Sequence, residues 1–346
     1  MGMDLLEKNF AKLSLDRHFV DLVYMPILTA IALLGNIPTF YIFRYRSPSS
    51  VFSFNVQYLS LIYMVAIIIK LQLSIMILVN AEDGQFARAC SVLCYVDMVT
   101  FVATGLQLLL TAVDRWRRIV HPEWELLNIR SVRTLSVMFM VTSLILNVPA
   151  SMVFGRRLFY YKTTVGSSTI GLWQCFIRDR DNESGCLLLY VTFILTCYFI
   201  FAGCFIAFFH AITREFAVGV QHQRTARNTS LVLQRSAQLF QAMAVTFLVC
   251  YFVYFVGLAL RAAHTASDPF LFIVVKPVID VLCYFNLMYL SSPPFIFFAA
   301  SRRYRQEFKK FVTCVPIRKR KQWKQEVAFY RMSRKTHPAA QVRHVR

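Results

Sequence analysis

The sequence predicts an all-α membrane protein, a bundle of seven transmembrane helices, on three observations. Hydrophobic residues make up 57% of the 346 and charged residues 16%, whereas a soluble domain of this size carries roughly a quarter charged. The mean hydropathy of the whole chain is +0.50, and its apolar residues fall in seven runs long enough to cross a bilayer, which takes about 20 residues as helix. The basic residues between the runs are sorted, abundant in alternate connections and scarce in the others.

The runs are 20–43, 54–79, 89–113, 132–154, 187–212, 237–260 and 270–300. The first follows "MGMDLLEKNFAKLSLDRHF", which lacks the apolar core of a cleavable signal, so this span is expected to direct insertion itself. The second carries Lys70, and the third carries Asp97 and leaves the membrane through "AVDRWRRIVHP" at 112–122. Pro26, Pro38, Pro149, Pro277, Pro293 and Pro294 lie in or at the edges of spans, where packed neighbours can satisfy the carbonyls they free. Between the fourth and fifth runs, "RRLFYYKTTVGSSTIGLWQCFIRD" reads as two aromatic-rich strands around a Gly/Ser turn.

Charge gives the orientation. The first, third and fifth connections hold Arg44 and Arg46, then Arg115, Arg117, Arg118, Arg130 and Arg133, then Arg214, Arg224, Arg227 and Arg235. The short second and sixth are nearly balanced, with Glu82, Asp83 and Arg88, then Arg261 and Asp268. Positive residues mark the cytoplasmic side, which puts residues 1–19 outside and the C-terminus inside. Asn182-Glu183-Ser184 then lies in an outer loop, open to glycosylation, while Asn228-Thr229-Ser230 lies inside and stays bare. The net charge of +20 is concentrated after residue 301, where 15 Lys or Arg face two Glu. Beside so many spans, "IRKRKQWK" (317–324) reads as a juxtamembrane patch for anionic lipid head groups rather than as a nucleic-acid or nuclear signal.

Several short motifs occur in a fixed order. "GN" (Gly35, Asn36) stands in the first span, "DRWRRIVHP" ends the third, "FLVCYFV" (247–253) lies in the sixth, and "SSPPFIF" (291–297) closes the seventh. "YRQEF" (304–308) follows, and Cys90 precedes Arg115 by 25 residues, about 37 Å of helix or a full membrane thickness with its interfaces. Together they resemble the rhodopsin-like family of G-protein-coupled receptors over nearly the whole chain, and in character its peptide receptors. "DRW" resembles the family's "DRY", "FLVCYFV" its "FxxCWxP" with Tyr251 for Trp and Val253 for Pro, and "SSPPFIF" its "NPxxY". In the last, Asn is missing before Pro294, and Phe297, or Phe298 in the neighbouring register, stands for Tyr. Val65 or Met64 stands where the family usually has a sodium-binding Asp.

The resemblance implies a bundle over 20–300, a short amphipathic eighth helix over 301–314 with Tyr304 and Phe308 on its apolar face, and a basic cytoplasmic tail over 315–346. It implies a structural Asn36 and a disulfide from Cys90 to Cys175, with Cys186 as the alternative, and a lipid anchor on Cys314. It also implies a switch of Asp114, Arg115, Phe247, Pro294 and Phe297 that opens to a heterotrimeric G protein. The physical reading agrees at Arg115, since a lone charge at the edge of low dielectric is expensive and the adjacent Asp114 can pair with it until the helices part. The other reading of the cluster is a basic stop-transfer signal, which suffices for Arg117 and Arg118.

Ligand information lies in the outer half. Asp97 is seven residues beyond Cys90, about 10 Å down the third helix, and an intramembrane carboxylate marks function by default. In the family this position meets ligand cations. Lys70 sits at a comparable depth, so Asp97 either binds a ligand or pairs with Lys70. With Tyr251, these are the candidate ligand residues. The long aromatic loop and the absence of a serine cluster in the fifth span favour a neuropeptide over a monoamine docked on Asp97. A secondary transporter would show inverted repeats, and an intramembrane enzyme a set such as HExxH or paired aspartates; neither pattern occurs. No cofactor is expected. Lys276 lies near the outer end of the seventh span, which leaves no lysine in its core to hold retinal.

Overall fold

The computed structural model describes residues 23–47, 50–79, 85–121, 127–162, 169–177, 184–222, 227–264 and 278–313. Among these, six helices are long and apolar enough to cross a membrane. They are α1 (Met25–Arg46), α2 (Val51–Val79), α3 (Gln85–Val120), α4 (Ile129–Val153), α5 (Ser184–His222) and α6 (Arg227–His264). A shorter apolar helix, α7 (Phe285–Ala300), follows a helical segment at 278–283 that breaks at Tyr284. The short α8 (Arg302–Val312) comes last. Strands β1 (Phe154–Lys162) and β2 (Thr169–Ile177) form one antiparallel hairpin, in register from Phe154 opposite Ile177 to Lys162 opposite Thr169. The hairpin packs against α3 and marks one end of the bundle, the hairpin end; the arginines of α1 and α3 mark the other, the basic end.

The helices outrun the apolar runs that announce them. The third run stops at 113, yet α3 continues to Val120 and keeps Asp114 to Arg118 helical, with Arg118 bonded back to Asp114 one turn earlier. Likewise α5 reaches His222 and α6 begins at Arg227. Apolar residues mark hydrocarbon depth, whereas a helix satisfies its own backbone in water as in lipid.

In α7 and α4 the carbonyls left open near the prolines are met by side chains. In α7, Pro293 and Pro294 cannot donate to the carbonyls four residues back, Tyr289 and Leu290. Ser292 Oγ donates to Tyr289 O at 2.8 Å, and Asn36 Nδ2 of α1 donates to Leu290 O at 2.9 Å. The residue before Asn36 is glycine for a steric reason: a Cβ on Gly35 would sit 2.8 Å from the Pro294 ring. In α4 the break at Asn147 precedes Pro149. Asn147 Nδ2 donates to Ser143 O at 2.7 Å while its Oδ1 accepts from the Tyr190 hydroxyl of α5 at 2.9 Å. The last turn of α1, Ile42–Arg46, is wide, and the Phe43 carbonyl accepts from Gln57 Nε2 at 2.7 Å and Ser53 Oγ at 2.9 Å, both on α2. Lipid tails give helices no hydrophobic reason to associate, so close packing and interhelical hydrogen bonds of this kind hold the bundle.

The core is aromatic. Phe101 of α3 stacks on Phe247 of α6 at 5.6 Å with planes 4° apart, and Phe201 of α5 meets Phe101 edge-on at 5.8 Å. Gly105 permits this crossing, because a Cβ there would lie 2.3 Å from the Phe201 ring. The expectation about the sodium position needs refinement. Val65 points outward, 47% exposed, and Met64 is only partly buried. The side chain of α2 that fills the interior at this level is Tyr63, fully buried, with its hydroxyl 2.8 Å from that of Tyr289 on α7.

Candidate functional site

At the basic end the first level of the site gathers around Arg115, which is 6% exposed. Asp114 holds two guanidinium groups, Arg115 through Nη2 at 3.0 Å and Arg118 through Nε at 3.0 Å. The second nitrogen, Arg115 Nη1, reaches across to α6 and donates to Ser236 Oγ at 3.1 Å. The guanidinium also lies 4.8 Å from the centre of the Phe52 ring of α2, a cation–π contact. α6 contains no Asp or Glu anywhere from 227 to 264, so a neutral hydroxyl stands where a carboxylate would clamp Arg115 more tightly.

From Phe52 the contacts run into α7 and α8. Phe297 lies 6.3 Å from Phe52, 5.2 Å from Phe43 and 5.8 Å from Tyr304. The Tyr304 hydroxyl is 2.7 Å from Thr39 Oγ1 on α1, and burial raises it above the ordinary tyrosine range, so it stays protonated. Phe308 stacks on Tyr304 at 6.2 Å and meets Phe298 at 5.7 Å. The charged face of α8 is used as well. Ser301 Oγ accepts from Tyr304 N at 3.2 Å as an N-cap, and Arg305 Nη1 donates to the last carbonyls of α7, Phe298 O at 2.8 Å and Ala299 O at 2.7 Å. Glu307 ties α8 to α1 through Arg46 at 3.4 Å. The predicted Asn36, Pro294, Phe297, Tyr304 and Phe308 therefore form one seam joining α1, α7 and α8.

The middle level is the aromatic stack. Phe247 lies 4.9 Å from Tyr251 and 5.3 Å from Tyr289. Tyr251 is 1% exposed and touches Phe101 at 4.8 Å, Tyr289 at 5.8 Å and Tyr254 at 6.1 Å. Below it α2 and α3 share a polar knot, in which Asn55 Nδ2 donates to Thr111 Oγ1 and Gln107 Nε2 to Asn55 Oδ1, both at 2.9 Å.

The third level lies toward the hairpin end. Lys70 Nζ and Asp97 Oδ1 form a close ion pair between α2 and α3, with the lysine side chain 5% and the aspartate 13% exposed. Asn286 of α7 and Tyr254 of α6 lie close enough to interact with Asp97, so four helices meet around one carboxylate. Both charges are thus neutralised inside the bundle, as burial demands. Nearer the hairpin, Ser91 Oγ donates to Phe154 O at 2.8 Å and fixes the base of β1 on α3 beside Cys90, which is fully buried.

The sequence reading named Lys70, Asp97 and Tyr251 but missed Tyr254 and Asn286, which complete that cluster, and Ser236, which holds Arg115. Asn286 carried a signal, a polar residue inside the apolar run 270–300; Tyr254 and Ser236 carried none, since each depends on a helix far away in sequence. Asn182, Cys314, the side chain of Cys175 and the segments 1–19 and 315–346 lie outside the described residues.

The family model described as "7 transmembrane receptor (rhodopsin family)" matches residues 39–290, close to three quarters of the chain, from the end of α1 into α7. No curated protein matches the sequence.

Proposed function

Since the chain belongs to the rhodopsin family of seven-transmembrane receptors, we propose that it couples an extracellular ligand, a neuropeptide, to a heterotrimeric G protein. The family consists of receptors rather than enzymes and places the chain as a multi-pass protein of the plasma membrane. The basic end faces the cytoplasm and the N-terminus lies outside, in keeping with the arginines of alternate connections. The tail over 315–346 rests on anionic lipid, Cys314 carries an acyl chain, and Asn182 carries a glycan.

The observation that carries this reading is the hold on Arg115. A buried guanidinium bound to Asp114 on its own helix and to Ser236 on α6 is a contact that outward movement of α6 must break. Its release exposes a cation to a cytoplasmic partner, which is the form a bistable element takes. The Cys90–Cys175 disulfide caps the ligand end. In its support, Cys90 is bonded rather than a free thiol, and Cys94, Cys197, Cys204, Cys250 and Cys283 take no part in disulfides. The hairpin register also puts Cys175 opposite Arg156, two residues from the Phe154 carbonyl that Ser91 holds beside Cys90.

A peptide fits better than a monoamine because Asp97 already has a cation, Lys70. The test is G-protein activation in cells, with neuropeptide and monoamine libraries applied to wild type, Asp97→Ala and Arg115→Ala. A neuropeptide response that disappears with Arg115→Ala is expected. Surface-expressed receptor with no basal or evoked signal, unchanged by Arg115→Ala, would remove the coupling reading.

A further inference from the structure

We propose that Lys70 sets the charge requirement of the ligand: it closes Asp97 to lone cations and makes the pair a receptor for a compact zwitterion. The chemical class is an ammonium and a carboxylate a few ångströms apart, as in an α-amino acid or in a peptide unit with neighbouring opposite charges. This rests on the receptor reading only in taking the hairpin end as the ligand entrance.

The argument is one of partners. Lys70 is 4% exposed and its ammonium sits on Asp97. A ligand bearing only a cation reaches Asp97 by displacing that ammonium, which then stays buried with no carboxylate to meet. Breaking a buried pair from one side is the costly operation, because the remaining charge is stranded. A ligand bearing only an anion strands Asp97 in the same way. A zwitterion strands neither, since its ammonium takes Asp97 while its carboxylate takes Lys70, and one internal pair becomes two.

The surroundings suit this exchange. Asp97 is the more exposed partner of the pair, 13% against 5%. Tyr254 of α6 and Asn286 of α7 lie beside Asp97 and offer its carboxylate polar partners when Lys70 swings away. The same two residues carry the exchange to the moving parts of the bundle, because Tyr254 lies 6.1 Å from Tyr251 in the aromatic stack and Asn286 sits in the first turn of α7, the helix that contains Pro294.

A matched pair of probes tests it. Phenylalanine and phenethylamine share a ring and an ammonium and differ by one carboxylate. Thermal stabilisation of the purified full-length receptor, read as a shift in Tm across a millimolar titration, reports binding of each. In wild type, phenylalanine is expected to bind about tenfold or more tightly than phenethylamine, the factor that one stranded partner costs. In Lys70→Met the order reverses. The exchange Lys70→Asp with Asp97→Lys restores a pair, guards against a variant that merely misfolds, and keeps the wild-type preference. Equal stabilisation of wild type by the two compounds, or no shift with either in both wild type and Lys70→Met, overturns the proposal. Basal G-protein activation and its loss in Arg115→Ala, measured on the same proteins in cells, judge the receptor reading separately.

Discussion

Asn36 on α1 donates its side-chain amide to Leu290 O on α7, the carbonyl that Pro294 leaves without its helical donor. The motif of the first span and that of the seventh are thus two halves of one contact. Asn36→Ala leaves that carbonyl buried and unmet and is expected to lower stability by about 1–3 kcal/mol. In a Pro294→Ala background the helix regains its own donor, so the same substitution should cost less. Melting curves of the four purified proteins form the double-mutant cycle, and additive losses would show the two residues to be independent.

Ser236 holds Arg115 with a neutral oxygen. Ser236→Ala removes a bond to a charged group, about 1.5–3 kcal/mol, and should raise ligand-independent signalling about tenfold. Ser236→Glu puts a carboxylate there, which holds the guanidinium more tightly than a neutral oxygen does, and should lower basal signalling below wild type. Basal G-protein activation normalised to surface expression reads both, and a Glu variant as active as Ala would show that the α3–α6 contact does not restrain the receptor.

Tyr63 and Tyr289 share one hydroxyl–hydroxyl bond and are both fully buried. Either single change to Phe strands one hydroxyl and should cost about 1–3 kcal/mol, whereas the double change replaces both partners by the same shape and should be nearly neutral. Thermal melts of the three variants decide; a double mutant less stable than each single would mean that further partners depend on these hydroxyls.

Arg305 closes the carbonyl end of α7 from the first turns of α8. Arg305→Ala should detach that junction without touching Arg115, costing about 1 kcal/mol. Faster hydrogen exchange confined to the α7–α8 junction is the expected signature, and unchanged protection at 297–304 would contradict it.

The spans, their order and the hairpin were legible because each depends on residues next to one another. Seven apolar runs needed only length, and the strands of 154–162 and 169–177 only aromatic stretches on either side of Gly/Ser. What each helix presents inward was harder to see. α2 is apolar on nearly every side, so the sequence offered no reason to prefer Tyr63 over Met64 or Val65 as the interior residue; in a membrane the lipid face is as apolar as the core. Lys70 and Asp97 were legible as a choice because a buried charge needs a partner at its own depth. Tyr254 was not, because nothing in its own segment points to a distant partner, and Asn286 stood out only as a polar residue in an apolar run, with no sign of what it meets.

The contact between Gly105 and Phe201 concerns inheritance more than signalling. A side chain at position 105 requires the buried Phe201 ring to give way, since even one carbon would lie 2.3 Å from it, yet residue 105 touches neither Arg115 nor Asp97. A missense change there would leave every recognition residue intact and still push α3 from α5 during biogenesis, where quality control removes chains destabilised by as little as about 1–2 kcal/mol. The carrier of such an allele would lack receptor at the cell surface rather than carry a deaf one.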